Sequence, residues 1–148
     1  MSSKTNDNND NSNDNKMSQF LNNKYINIET YKKNGQAVRT PVWFIVDNSK
    51  IYSRTDLNSG KVKRARNNPH VRVAPCDARG RPRGKWVDGE IRIANSSESE
   101  QANRLLNQKY GLQGRLVRTF NKLRKTRPIV ICVQIWMYAD DSFFHHSI

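Results

Sequence analysis

From residue 24 onward the chain alternates: Ile26, Ile28 and Thr30 fall on one face of an extended segment, and Tyr25, Asn27, Glu29 and Tyr31 on the other. This pattern predicts a strand with one buried side. Asn34-Gly35 follows, a pair that accepts positive φ at both central positions of a tight hairpin, so a second strand over residues 37–47 should fold back on the first. Pro41 lies inside that strand and has no N–H for the ladder, which places it at an edge or a bulge where a barrel bends or opens. Asp47, Asn48 and Ser49 supply the next turn, and residues 50–54 a short third strand.

After this meander the period changes. Asn58 or Ser59 can cap a brief helix running to about residue 67, and Pro69 follows closely enough to end it. Residues 70–76 and 85–94 read as a fourth and a fifth strand around a loop at 77–84. Ser97 and Glu100 stand at capping-box spacing before a helix through Tyr110, with Gly111 placed to stop it. A second helix over 115–123 and a long, mostly buried final strand over 128–138 complete the chain. Six or so hairpin-connected strands with short helical insertions predict a mainly β fold, an antiparallel barrel with α excursions rather than a parallel βαβ sheet. A barrel this small leaves little interior room, so a ligand site between two subunits is expected.

A length of 148 residues allows one domain and little else. Residues 1–23 are dominated by Asn, Asp and Ser and are expected to be a disordered tail, with the barrel domain over 24–140 and a C-terminal tail over 141–148. Lys and Arg outnumber Asp and Glu by 26 to 13, giving a formal charge of +13. That balance attracts polyanions without choosing among nucleic acid, acidic membranes and multiply charged cofactors. No stretch has the apolar length to span a bilayer and the first residues are too polar for a signal peptide, so a soluble, cytoplasmic protein is expected. Cys76 and Cys132 sit in apolar runs and read as buried thiols, not as a disulfide or a zinc site. His145 and His146 are adjacent and point apart in extended chain, so no metal site is expected there.

The chemistry concentrates in residues 55–66. There a strand end leads into a helix whose first turn carries a hydroxyl, a glycine and cations: Thr55, Ser59, Gly60, Lys61 and, one turn on, Arg64. Free N–H groups at a helix start face an anion, Gly60 permits close approach, the Ser59 hydroxyl can donate and Lys61 supplies charge, which together form a phosphate cradle. A solvated basic helix is the alternative on this segment alone. The pattern is not a P-loop, because the Gly-x-x-x-x-Gly-Lys-Ser/Thr run is absent.

In order along the chain, Arg39-Thr-Pro-Val-Trp-Phe, Ile51-Tyr-Ser-Arg-Thr, Ser59-Gly-Lys-Val-Lys-Arg, Asn68-Pro-His-Val, Ala74-Pro-Cys-Asp-Ala-Arg-Gly and Val87-Asp-Gly-Glu resemble the pyridoxamine 5'-phosphate oxidase-like split-barrel family. The closest branch is the one that uses the deazaflavin coenzyme F420. The resemblance covers residues 24–94. It implies a homodimeric split β-barrel that binds F420, or alternatively FMN, at the subunit interface and passes a hydride to or from a small-molecule substrate. It also implies that Ser59, Lys61 and Arg64 hold the cofactor phosphate, that Pro41, Val42 and Trp43 line the ring, and that Thr55 helps at the phosphate or ring edge. Ser-Gly-Lys stands where the oxidase proper has Ser-Arg-Lys, and the oxidase's C-terminal substrate-binding segment is missing, so oxidation of pyridoxamine phosphate is not implied. No catalytic residue is identified: paired carboxylates, a Gly-x-Ser-x-Gly elbow and a His-Glu-x-x-His set are all absent, and a flavin-type ring would perform the chemistry itself. Storage or sensing on the same fold is a second reading.

The loop Arg79-Gly-Arg-Pro-Arg-Gly-Lys resembles the Arg-Gly-Arg-Pro core of AT-hook peptides, which enter the minor groove of A·T-rich DNA. An AT hook works as a flexible extended segment, whereas this loop is short and lies between two predicted strands. DNA binding therefore stands behind the cofactor reading.

Overall fold

The structure, a computed structural model, describes residues 16–123 and 127–136. The expected tails over residues 1–15 and 141–148, with His145 and His146, lie outside the described residues. Seven strands form one antiparallel sheet: β1 (Tyr25–Tyr31), β2 (Ala37–Trp43), β3 (Ile45–Asp47), β4 (Lys50–Asp56), β5 (His70–Cys76), β6 (Val87–Ile93) and β7 (Pro128–Ile135). Their order is β2-β1-β5-β6-β7-β4-β3. Helix α1 (Gly60–Asn67) joins β4 to β5, and α2 (Ser96–Leu123) joins β6 to β7. No helix among the described residues is long and apolar enough to cross a membrane.

The single strand expected over 37–47 is two. β2 pairs with β1 at one edge of the sheet and β3 pairs with β4 at the other, and only Phe44 separates them. A one-residue connection between opposite edges forces the sheet to curl until its edges meet. Phe44 is fully buried, and its backbone is held by Tyr110: the Phe44 N–H donates to Oη at 2.9 Å, and the hydroxyl lies 2.8 Å from the Phe44 carbonyl and 2.7 Å from that of Lys24. Lys109 Nζ donates to the same Phe44 carbonyl at 2.8 Å and sits 3.8 Å from the Phe44 ring centroid. Burial of that ammonium lowers its pKa to about 8. Pro41 falls in edge strand β2, where its missing N–H breaks no inner ladder.

Inside the curl, Ile26, Ile28, Phe44, Ile51, Val71, Val73, Ile131 and Val133 form one core. Outside it, α2 lays Ala102, Leu106 and Tyr110, spaced four apart, onto Ile45, Tyr52, Val130 and Cys132. The expectation of a one-sided β1 fails, because Asn27 and Glu29 on its outer face are also buried, at 1% and 3% exposure. The 77–86 loop covers Asn27, whose Nδ2 donates to the Gly80 carbonyl, and Arg39 and Arg72 flank Glu29 across the ladder. Cys76 and Cys132 are buried free thiols, as expected.

The predicted tail also ends earlier than residue 23. Residues 16–18 form a helical turn, Phe20 is 1% exposed within the inner core, and Met17 packs against it. Burying a phenylalanine is worth about 1.5–3 kcal/mol, enough to offset the ordering of a residue or two. One aromatic side chain in a polar stretch was the signal.

Turn and cap chemistry moved by a residue or two. At Asn34-Gly35 only the glycine has positive φ, +87°, and its N–H closes onto the Lys32 carbonyl at 2.8 Å, a type I turn followed by a left-handed glycine. Both central residues are left-handed instead at Asn48 and Ser49, between β3 and β4. The capping box is Asn95 with Glu98, not Ser97 with Glu100: each backbone N–H donates to the other's side chain, at 2.9 and 3.1 Å. Gly111, with φ +54° and ψ −130°, breaks α2 where the stop was expected. Glu98 also takes two bonds of 2.7 Å from Arg92 and one of 3.0 Å from the Tyr52 hydroxyl.

Two measurements check these joints. Tyr110→Phe strips the buried Phe44 N–H of its acceptor and should cost about 2 kcal/mol in denaturant unfolding, more than a surface hydroxyl would. Arg92, then the Asn95 N–H, lowers the Glu98 pKa to about 2. The depressed value means its stabilisation is fully present above the ordinary carboxylate range and is lost as pH falls toward 2. Glu98→Gln should therefore flatten the acid limb of the stability curve between about pH 4.5 and 2, and weaken the fold at neutral pH by about 1 kcal/mol.

Candidate functional site

β4 extends through Asp56, two residues past its expected end, so Thr55 is a strand residue opposite Ile129 of β7. The turn beyond it is tied at both sides: Ser59 N–H donates to the Asp56 carbonyl at 3.0 Å, and Leu57 N–H to that of Arg127 at 2.9 Å. Ser59 is the N-cap of α1, its Oγ accepting from Val62 N–H at 3.4 Å. Val62 and Ala65 face inward against the core and anchor the helix.

The other face collects the predicted phosphate residues. Lys61 turns back so that Nζ donates to Thr55 Oγ1 at 2.9 Å, and the Thr55 and Ser59 hydroxyls are 3.4 Å apart. Arg64 reaches across to β1, its Nε donating to Thr30 Oγ1 at 2.7 Å. Its guanidinium folds over Gly60, where an added Cβ would meet Nη1 at 2.7 Å. The glycine is there to let the arginine lie down. Thr30, fully buried, is the member that sequence reading assigned to the core only; its signal was a hydroxyl at an inward position where an aliphatic would serve.

Lys61 is only 8% exposed. Burial, then the neighbouring Arg64 charge, holds its pKa below the ordinary lysine value, with Asp56 opposing weakly. Among the described residues no carboxylate lies within ion-pair distance of Lys61 or Arg64. The first turn of α1 contains no acidic residue, so Lys61 sits against the positive end of the helix dipole. Burial, the Arg64 charge and the helix dipole all oppose a cation here, only Asp56 favours it weakly, and an anion would offset them.

Pro41, Val42 and Trp43 form a second group on β2. Val42 packs on the inner core, while the Trp43 ring stacks on Tyr110 with centroids 4.5 Å apart and planes at 7°. Its carbonyl accepts from Ser53 Oγ at 2.6 Å. One face of the indole is therefore taken by Tyr110 and unavailable as a wall. Thr30 pairs with Val38, three residues before Pro41, so the two groups lie about 10 Å apart along the strand. No hydrogen bond links them among the described residues. A shallow apolar groove runs along α1, lined by Val62, Ala65, Ile91, Ile131 and Ile93, the last 48% exposed. Among the described residues no cluster of His, Cys, Asp and Glu could hold a metal.

No protein-family model matches the chain, and no curated protein sequence does. Solved structures do match. A candidate pyridoxamine 5'-phosphate oxidase from Listeria innocua aligns over 83% of this chain and 92% of its own, with TM-score 0.55 and 14% identity. HutZ, the heme storage protein of Vibrio cholerae, aligns over 80% and 86% with TM-score 0.57 and 11% identity. An F420 reductase aligns over 80% and 91% with TM-score 0.52 and 14% identity. At such identities the likeness is one of fold: the curled antiparallel sheet is that of the pyridoxamine 5'-phosphate oxidase-like split barrels.

The Gly60 contact predicts a separation of effects. Gly60→Ala should change stability by less than about 1 kcal/mol, since only the flexible tip of Arg64 must move. Thr30→Val, which leaves Arg64 Nε facing a buried methyl, should cost about 1–2 kcal/mol. Thermal unfolding of the two variants compares them directly.

Proposed function

We propose that this chain is an oxidoreductase of the split-barrel type that binds a phosphate-bearing flavin-type cofactor, coenzyme F420 ahead of FMN, through Thr55, Ser59, Gly60, Lys61 and Arg64. The observation that carries the reading is a buried ammonium beside a guanidinium, bonded only to a hydroxyl and set at a helix N-terminus. An unpaired buried cation costs several kcal/mol of desolvation, which a phosphate on the same side offsets through charge-assisted bonds. The run of residues resembling the deazaflavin branch and the excess of cations favour F420 over FMN.

The cofactor supplies hydride transfer when bound. The chain's residues bind and orient. Lys61 and the Ser59 hydroxyl meet the phosphate, Arg64 adds charge from the position Thr30 fixes, and Gly60 leaves room for the Arg64 guanidinium over the helix start. Pro41 and Val42 stand along β2 as the flank for the ring, with Trp43 bracing that strand against Tyr110. The substrate is a small molecule. A second copy of the chain would cover the groove on the Val62 and Ala65 side of α1, where Ile93 is exposed.

Lys61→Met tests the assignment because its two consequences have opposite signs. The ligand-free protein should gain about 1 kcal/mol, since a buried unpaired charge is replaced by an apolar chain of similar length. F420 and FMN binding, followed by absorbance and fluorescence titration, should weaken at least tenfold. A lysine serving the fold alone would lose stability instead, and failure of the unmodified protein to bind either cofactor would sink the redox reading. The lowered Lys61 pKa also means that affinity falls as pH rises through it, while the ligand-free fold becomes more stable over that interval.

A further inference from the structure

Helix α2 covers the outer sheet face over β3, β4 and β7, and among the described residues no long helix packs on the outer face over β1 and β5. The 77–86 loop lies against that uncovered face and is locked rather than flexible. Asp77 Oδ1 accepts from the Arg79 and Arg81 N–H groups at 2.9 Å each, and Oδ2 from Arg81 Nε at 2.6 Å. Arg83 N–H donates to the Pro75 carbonyl at 2.7 Å, and Cys76 bridges to Pro82. Gln19 closes the end, accepting from Lys85 N–H at 2.8 Å and donating to the Lys85 carbonyl at 2.9 Å. Such a lattice holds Arg79, Arg83 and Lys85 outward, all exposed, and no carboxylate pairs with them among the described residues. A strip of cations on a backbone already held in place spares the loop's own ordering entropy on meeting a polyanion.

Beside the strip lie half-exposed rings. Tyr31, His70 and Trp136 follow one another across the face, with centroids 5.4 and 4.8 Å apart. Trp86, next to Lys85, has the Arg39 and Arg72 guanidinium carbons 4.7 and 5.5 Å from its centroid. Of the acids on this face, Glu29 is engaged by Arg39 and Arg72 and Asp88 by His70 and Arg72, and Glu90 stands opposite His70 in the ladder. We propose that this loop and the adjoining aromatic face form a docking surface for single-stranded nucleic acid, separate from the phosphate site at α1. His70 has a ring neighbour in both Tyr31 and Trp136, and Trp86 carries two guanidinium groups, so unpaired bases would meet the outer members of the row, Tyr31 and Trp136; cations that track a backbone next to such rings are the chemistry of single-strand recognition. The loop also weighs against the AT-hook reading: held by Asp77 and the Pro75 carbonyl, its backbone is a closed turn and not an extended peptide.

The test titrates the full chain, without cofactor, into labelled mixed-sequence single-stranded DNA and RNA and into the matching duplex, between 50 and 200 mM salt, by anisotropy and by tryptophan fluorescence. Single strands should bind at least about tenfold tighter than duplex and quench the tryptophans. Replacing Arg79, Arg83 and Lys85 together by alanine should lower the slope of log affinity against log salt by about 2, at roughly 0.7 per phosphate contact, and Arg83→Ala alone by about 0.7. Thermal unfolding confirms that both variants fold. An unchanged slope in both variants, equal affinity for duplex, or binding without quenching would overturn the proposal. So would displacement of the oligonucleotide by polyglutamate at equal charge, which would give the strip to a carboxylate ligand.

Discussion

The fold depends on one clasp. The Tyr110 hydroxyl meets the backbone of Phe44, the single residue between an edge strand on one side of the sheet and an edge strand on the other. Two peptide groups at such a corner cannot join a ladder on either side, and in the interior they would be costly without partners. Tyr110 supplies both a donor and an acceptor from the helix that covers the outer face. The Lys109 ammonium adds a second bond to the same carbonyl, and Trp43 stacks on the Tyr110 ring. Barrel closure, docking of α2 and the path of β2 are thus one event, not three.

From that closure follow the two cationic surfaces to which the proposals assign function. Curling brings β1 beside α1, so Thr30 on the first strand can receive Arg64 from a helix more than thirty residues later. It also leaves α2 on only part of the outer face, and the 77–86 loop seals Asn27 and Glu29 on the rest. The phosphate cluster and the cationic strip are both positive, but they differ in physical kind. At α1 the charge is buried, crowded and unpaired, which favours one compact anion. Along the loop the charge is exposed and spread out, which suits a long polyanion.

Local sequence was a good guide where one residue type sets the conformation. Ser59, one of the two residues expected to cap, is the N-cap, Gly111 breaks the long helix, Pro41 lies at an edge, and β5 spans the predicted residues. The clustering of the residues expected to hold a phosphate was legible for the same reason, since a helix start brings Ser59, Gly60, Lys61 and Arg64 together by short-range geometry alone. Reading failed where a distant element supplied the partner. Alternation gave β1 a solvent face, but Arg39, Arg72 and the loop bury it. Composition assigned residues 16–23 to a tail, yet Phe20 completes the core. Trp43 is the residue most changed by context, its aromatic character foreseen and one of its faces spent on Tyr110.

By itself the sequence determined most of the strands, the Ser59 cap and the cationic helix start, because these depend on side chains within a turn or a strand of one another. Only the tertiary structure decided that residues 37–47 break at Phe44 to join both edges of the sheet, that Lys61 is buried without a counter-charge, and that Thr30 completes the cluster. Each of these is a contact between residues far apart in the chain. Its energy comes from desolvation and pairing that no local window contains, so the same lysine that reads as an ordinary surface cation in sequence becomes, once folded, a charge in need of an anion.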